Sequence, residues 1–208
     1  MGRAGLVWRL LGRWLLACGW LVMVALGGLA HADEADVTQP QVSVQRQADG
    51  LYLTARLPLA LPNGLQEALE RGVPLHFVWQ AEVLAPRWYW RDRRVSTAVR
   101  TVRLAYQPLT RRWRVSVADG DDPGTGNALH RNVDSLNEAL AVVTRVVAWP
   151  VASEAELAGV GDVRLGVRFG LAQELLPRPL QLGVGGPMDR GLAFEQVLDV
   201  PAPAERAP

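Results

Sequence analysis

The chain predicts a mainly β protein, an antiparallel β-sandwich with two or three short helical connections, and three observations carry that expectation. Apolar and polar residues alternate with a period of two in several segments, most clearly from Leu75 to Val83. Turn signals separate these segments by hairpin lengths rather than by helical crossovers. Helical spacing of apolar residues is confined to short stretches. Six or seven strands follow from this reading. An α+β sheet with helices on one face is the alternative.

In the first strand, Val37 to Gln47, Val42 and Val44 oppose Gln41, Ser43 and Gln45, and Asp49-Gly50 turns the chain into Leu51 to Leu57. Pro62-Asn63-Gly64 opens a short helix from Leu65 to Arg71, with Asn63 placed to cap it and Gly72 able to take the left-handed stop. Next, Leu75, Phe77, Trp79, Ala81 and Val83 share the face predicted to be core, while His76, Val78, Gln80 and Glu82 share the other. A long strand from Arg94 to Tyr106 turns through Gln107-Pro108-Leu109-Thr110 and returns as Arg112 to Val117, with Trp113, Val115 and Val117 inward. Along the outgoing strand the apolar residues move from odd positions (Val95, Val99) to even ones (Val102, Leu104, Tyr106), which predicts a bulge or bend between Arg100 and Val102. Asp119 to Asn127 reads as a polar loop. Ser135-Leu136-Asn137-Glu138 has the pattern of a capping box, and Leu136, Leu140, Val143 and Val147 keep helical spacing until Trp149-Pro150, predicting the longest helix. A short turn at Ser153 to Leu157 precedes two more strands, Val163 to Leu171 and Leu192 to Val200. Between those strands, Leu176 to Leu180 is extended, and its prolines exclude it from a sheet interior. No internal repeat is visible.

The first 32 residues have the three parts of an export signal. Arg3, Arg9 and Arg13 make a positive n-region, Leu15 to Ala30 is apolar, and Ala30-His31-Ala32 supplies small side chains for cleavage after Ala32. An uncleaved anchor would have no reason to end in small residues followed by Asp33, Glu34 and Asp36. A lipoprotein leader ending at Cys18 would place Arg13 inside its apolar stretch. The expected organisation is a signal peptide over 1–32, a single β-rich domain over 33–200 and a disordered Pro/Ala-rich tail over 201–208.

Cleavage removes Cys18, the only cysteine, so the mature domain is expected to hold no disulfide. All 22 basic residues are arginine; three leave with the leader and none of the 21 acids does, giving the mature chain a net charge of −2. Such a balance gives no electrostatic footprint for nucleic acid. Arginine in place of lysine, with abundant Ala, Gly and Pro, suggests a GC-rich bacterial genome, and a Sec-type leader then points to a Gram-negative periplasm. Membrane contact is expected only through an uncleaved leader or peripherally.

Chemistry-bearing residues are few. His76, on the outer face of its strand, and His130, in a loop before a helix, are the histidines of the mature chain, and there is neither a Gly-x-Ser-x-Gly motif nor a mature cysteine to act as nucleophile. A Ser/His/Asp site could still assemble in space, since triads ignore sequence order. Asp119, Asp121 and Asp122 with Gly120, Gly124 and Gly126 have the composition of a calcium loop but lack the acid that closes one. Gly124-Thr125-Gly126 lacks the strand, helix and lysine of a phosphate cradle. No catalytic residue, metal site or cofactor is assigned.

The most unusual stretch is Arg87 to Arg114, with nine arginines against Asp92 and a formal charge of +8. Trp88, Tyr89, Trp90 and Trp113 lie among them, and guanidinium planes both stack on aromatic rings and fork onto carboxylates or phosphates. Arg87, Trp88, Tyr89, Trp90, Arg91, Arg93 and Arg94 form the candidate binding surface. The competing reading makes these the solvent faces of two paired strands, with arginines stacked over tryptophans and answered by acids on neighbouring segments.

Five ordered segments carry a family resemblance: Leu65 to Leu75 (LQEALERGVPL), Pro86 to Asp92 (PRWYWRD), Tyr106 to Thr110 (YQPLT), Ser135 to Leu140 (SLNEAL) and Leu176 to Gln181 (LPRPLQ). Together they resemble a family of exported proteobacterial proteins of unknown function, the proline-rich signal peptide proteins, over nearly the whole mature chain. The resemblance implies a single exported domain without assigned activity, catalytic residues or cofactor, encoded in some genomes beside a membrane sensor kinase of the nitrogen-regulation type. The longer Asp119 to Asn127 loop departs from that pattern. The functional expectation is a periplasmic binding or accessory domain that contacts a protein partner, a membrane sensor among the candidates, through the Arg/Trp surface. An envelope-associated hydrolase and a structural protein touching anionic lipid or cell-wall polymer are the alternatives. A deep cleft lined by His76 or His130 with carboxylates would favour the hydrolase, and a flat Arg/Trp face would favour binding.

Overall fold

The computed structural model describes residues 39–89, 92–120, 128–178 and 192–200, all of them in the unit Val37–Pro208. The expected signal peptide over 1–32, the expected tail over 201–208, Asp121 to Asn127 and Pro179 to Gln181 lie outside the described residues. Two antiparallel sheets make the fold mainly β, as the alternation predicts. The smaller sheet has the order β1-β2-β7, from β1 (Gln41–Gln47), β2 (Gly50–Arg56) and β7 (Arg145–Ser153). The larger runs β6-β5-β4-β3-β8-β9, from β3 (Leu75–Ala85), β4 (Arg93–Gln107), β5 (Arg112–Asp119), β6 (Leu129–Val133), β8 (Arg164–Leu171) and β9 (Ala193–Asp199). Three short helices connect them: α1 (Asn63–Glu70), α2 (Leu136–Val143) and α3 (Glu154–Leu157), with a 3-10 turn at Gln173–Leu175.

Strand periodicity builds the core. β3 alternates buried and half-buried residues along its whole length, and its inward side chains join Leu51, Leu53 and Ala55 of β2, Leu165, Val167 and Phe169 of β8 and Trp149 of β7 in one cluster. Trp79 is fully buried; its ring lies 4.7 Å from that of Phe169. Its Nε1–H donates to the carbonyl of Val143 at 3.0 Å, so the one polar atom of the side chain is satisfied at the end of α2. The first hairpin is present with its turn at Ala48-Asp49, one residue earlier than read from the sequence, so that Gln47 lies opposite Gly50 and Val44 opposite Leu53.

Four other expectations are corrected. Asn63 is the first residue of α1 rather than its cap; Pro62 takes that place and has no side-chain acceptor to offer. The predicted stop is present, with Gly72 at φ +88°. The longest predicted helix ends at Val143, and Arg145–Ser153 is strand β7. Its β-branched valines suit a strand. Pro150 is tolerated there because β7 is an edge strand whose outer donors pair with nothing in the sheet. Ser135 does cap α2, its hydroxyl accepting from the Glu138 N–H at 3.1 Å. His130 lies not in a loop but on β6, opposite Ser116. Finally, β3 and β4 pair without interruption past Arg100 to Val102, and the register shifts instead between Val83 and Leu84, where Val95 is the extra residue. Even-numbered residues of β4 therefore face the core side from Ser96 onward, including Arg100 opposite Trp79. The apolar phase breaks at Arg100 because that core-side position is occupied by an arginine, which lies 4.9 Å over the Trp149 ring and bonds Asp119 at 2.7 Å.

Candidate binding surface at the β3–β4 tip

Two places collect the residues singled out in the sequence. The first is the tip joining β3 to β4. Pro86 ends the ladder of β3, and the Val95 bulge twists the start of β4. Between them Trp88 is 95% exposed and Tyr89 64% exposed. Their rings meet edge to face with centroids 5.0 Å apart, the arrangement that aromatic quadrupoles favour. Asp92, the only acid of the arginine-rich stretch, is held by Arg164 of β8 at 2.7 Å, which ties the tip to the next strand and pairs its negative charge. Arg94 reaches Glu82 at 3.5 Å. Arg87 and Arg93 are exposed and have no ion-pair partner among the described residues. Trp90 and Arg91 lie outside the described residues.

The second place is the outer face of the larger sheet, where His76 pairs with Arg103, Arg103 with Ser116 and Ser116 with His130. These four residues form one row across β3, β4, β5 and β6. His130 Nδ1 and Ser116 Oγ are 2.8 Å apart. Burial of the His76 imidazole, reinforced by the charge of Arg103, holds its pKa below the usual histidine value. Its Nδ1 is out of solvent without a hydrogen bond among the described residues.

The family model of the domain of unknown function DUF4390 matches residues 32–193, which include both places. The chain belongs to the DUF4390 family. No match is found among curated proteins or among solved structures.

The geometry of this DUF4390 domain divides the nine arginines of the +8 stretch. β4 is 15 residues long, so its ends are roughly 45–50 Å apart. Arg87, Arg93 and Arg94 lie at one end, while Arg111, Arg112 and Arg114 lie at the other, Arg112 paired with Asp134 at 2.8 Å and Arg114 bonded to Asn132 at 3.4 Å. Arg100 is spent on the core side. Trp113 is buried against Tyr106 and belongs to the core, not to the exposed aromatic set. Acids on neighbouring segments answer Arg94 at the tip, Arg100 in the middle and Arg112 at the far end, while Arg87, Arg93, Arg103 and Arg111 have no ion-pair partner among the described residues.

For hydrolysis, the DUF4390 domain brings Ser116 and His130 together, which no sequence motif announced; the fourteen-residue separation acquires meaning only through the β5–β6 register. Among the described residues no carboxylate bonds His130. A recess of about 190 Å³ lies elsewhere, lined by Pro40, Leu57, Pro58, Phe169, Leu192 and Phe194, with neither histidine in its wall. Among the described residues no group of three or more His, Cys, Asp or Glu could hold a metal ion.

Proposed function

We propose that this DUF4390 domain is an exported binding or accessory module that grips an acidic protein partner through the β3–β4 tip. The observation that carries the reading is the aromatic pair at the tip: Trp88 at 95% and Tyr89 at 64% exposure, beside two arginines without acid partners among the described residues. Apolar rings held in water contribute nothing to the fold, whereas buried under a partner they are the residue types that dominate binding energies together with arginine. Asp92, engaged by Arg164, leaves the tip with positive charge facing outward. Trp90 and Arg91 follow directly in sequence.

Export is the second part of the proposal. The family match begins at residue 32, the last residue of the leader expected to be cleaved, which supports a mature chain starting at Asp33 in the periplasm of a Gram-negative cell. The family resemblance suggests a membrane sensor as the partner to examine first.

The test places a photo-crosslinking amino acid at Trp88 in the full chain and identifies what is captured in living cells. Trp88→Ala with Tyr89→Ala, and separately Arg93→Glu, should abolish capture by a crosslinker placed at Arg87, with the melting temperature unchanged because exposed groups contribute little to stability. Arg94 is left intact, since its reversal would set two carboxylates together at Glu82. Capture should weaken as salt rises, charges at this surface being screened within about 10 Å at 0.1 M. Capture that survives these changes removes the tip from the interface, and crosslinks exclusively to lipid would assign the tip to the membrane surface instead.

A further inference from the structure

We infer that the row formed by His76, Arg103, Ser116 and His130 is a binding site for a phosphate group, seated over Arg103 on the outer face of the larger sheet. This site is separate from the hairpin tip and does not depend on the reading of the tip. Side chains directly opposite on neighbouring strands have their Cβ atoms about 5 Å apart, so Arg103 stands between His76 and Ser116, the latter buried in this row. The register fixes that neighbourhood through three successive strand pairings.

Charge favours an anion there. Arg103 has no ion-pair partner among the described residues, and Arg114, two residues along β5 from Ser116, is bonded only to a neutral amide. On this face Glu82 is six residues along β3 from His76, roughly 20 Å away, and faces Arg94. Glu195 of β9 is held by Arg168 at 2.9 Å. Each of these two acids is thus engaged by another arginine, and neither forms an ion pair with Arg103.

Donors complete the case. Ser116 accepts from His130 when the imidazole carries its proton on Nδ1, and the hydroxyl proton then turns outward to the ligand. His76 has a ring nitrogen that is out of solvent and makes no hydrogen bond among the described residues. An anion over Arg103 offsets the guanidinium field that disfavours the His76 proton. Guanidinium, hydroxyl and imidazole thus approach from three strands. That arrangement suits the several oxygens of a tetrahedral phosphate better than the two of a planar carboxylate.

The probe is inorganic phosphate, titrated into the full chain with side-chain nitrogen-15 labelled histidine and followed by NMR, against potassium chloride at equal ionic strength. The imidazole signals of His76 and His130 should move and saturate with phosphate and stay still with chloride. Arg103→Gln should weaken binding about tenfold or more, as loss of a charge-assisted hydrogen bond does. Ser116→Ala should weaken it several-fold, and Arg71→Gln on α1 should leave it unchanged. Vesicles of phosphatidylglycerol, compared with vesicles of phosphatidylcholine, distinguish a lipid headgroup from soluble phosphate as the source, either response being phosphate recognition by this row. Histidine signals that ignore both forms of phosphate at tens of millimolar, or that move equally in Arg103→Gln, overturn the site. Should Arg103→Gln fail to fold, Ser116→Ala decides: weakened binding supports the row and unchanged binding rejects it.

Discussion

Toward the core, β3 buries Leu75, Phe77, Trp79, Ala81 and Val83 completely, whereas on its opposite face His76, Val78, Gln80, Glu82 and Leu84 stay half-buried. The inner set is apolar and packs chiefly against the apolar side chains of β2, β7 and β8. The outer set is chemically mixed, and what each residue does depends on which residue the next strand places beside it: Arg103 beside His76, Thr101 beside Val78. One face is thus governed by spacing within a strand and the other by register between strands. The difference decides where stability and where recognition are to be sought.

Breaking the inner face should have the largest effect. Trp79→Ala removes a fully buried ring and leaves the Val143 carbonyl without its donor, so it should cost about 3–5 kcal/mol by chemical denaturation. A melting curve within a degree or two of wild type would show that the two faces do not differ as described. The outer face offers a smaller and more local test. Thr101 is buried there, and its hydroxyl donates to the Gly120 carbonyl at 3.0 Å. Thr101→Val keeps the shape and loses that bond, so the cost should be about 1 kcal/mol. A loss as large as that of Trp79→Ala would mean that the outer face is a second core.

The same contrast explains what could be read from the residues alone. β3, β5, β8 and the first hairpin were legible because one buried face imposes a period of two. β6 was not, since Leu129-His130-Arg131-Asn132 is exposed at a sheet edge and no burial shapes its sequence. β7 imitated a helix because Val143 and Val147 are four apart, a spacing produced by a helix end followed by a strand with Ala148 at φ +45°. The aromatic tip was legible as a run of neighbours, Trp88 and Tyr89 among arginines. The Ser116–His130 pair was not, because nothing local links residues that only a strand pairing brings together. The charge of +8 misled in another way: counting along the chain cannot see that a long strand carries its two arginine groups to opposite ends.

The finest test of the outer face is its response to acid. The His76 pKa is lowered chiefly by burial and further by the Arg103 charge, so as pH falls the unfolded chain takes up the proton before the folded one. Stability contributed by neutral His76 is then fully present above the ordinary histidine value of about 6.5 and is lost as pH drops from there toward the lowered folded value. Replacing the ring by an uncharged side chain removes this linkage. His76→Leu should therefore flatten the decline in unfolding free energy between pH 7.5 and 5 relative to wild type, while Arg103→Gln should flatten it in part by removing the smaller of the two causes. Carboxylates contribute to acid sensitivity mainly at lower pH, and Glu156, whose pKa is depressed by its bonds to Ser153 and Ser96, is an example. Measuring above pH 5 separates the two. An equal slope in wild type and His76→Leu would mean that the imidazole is as free to ionise in the fold as in water, and the outer row would lose the buried histidine on which its phosphate chemistry partly rests.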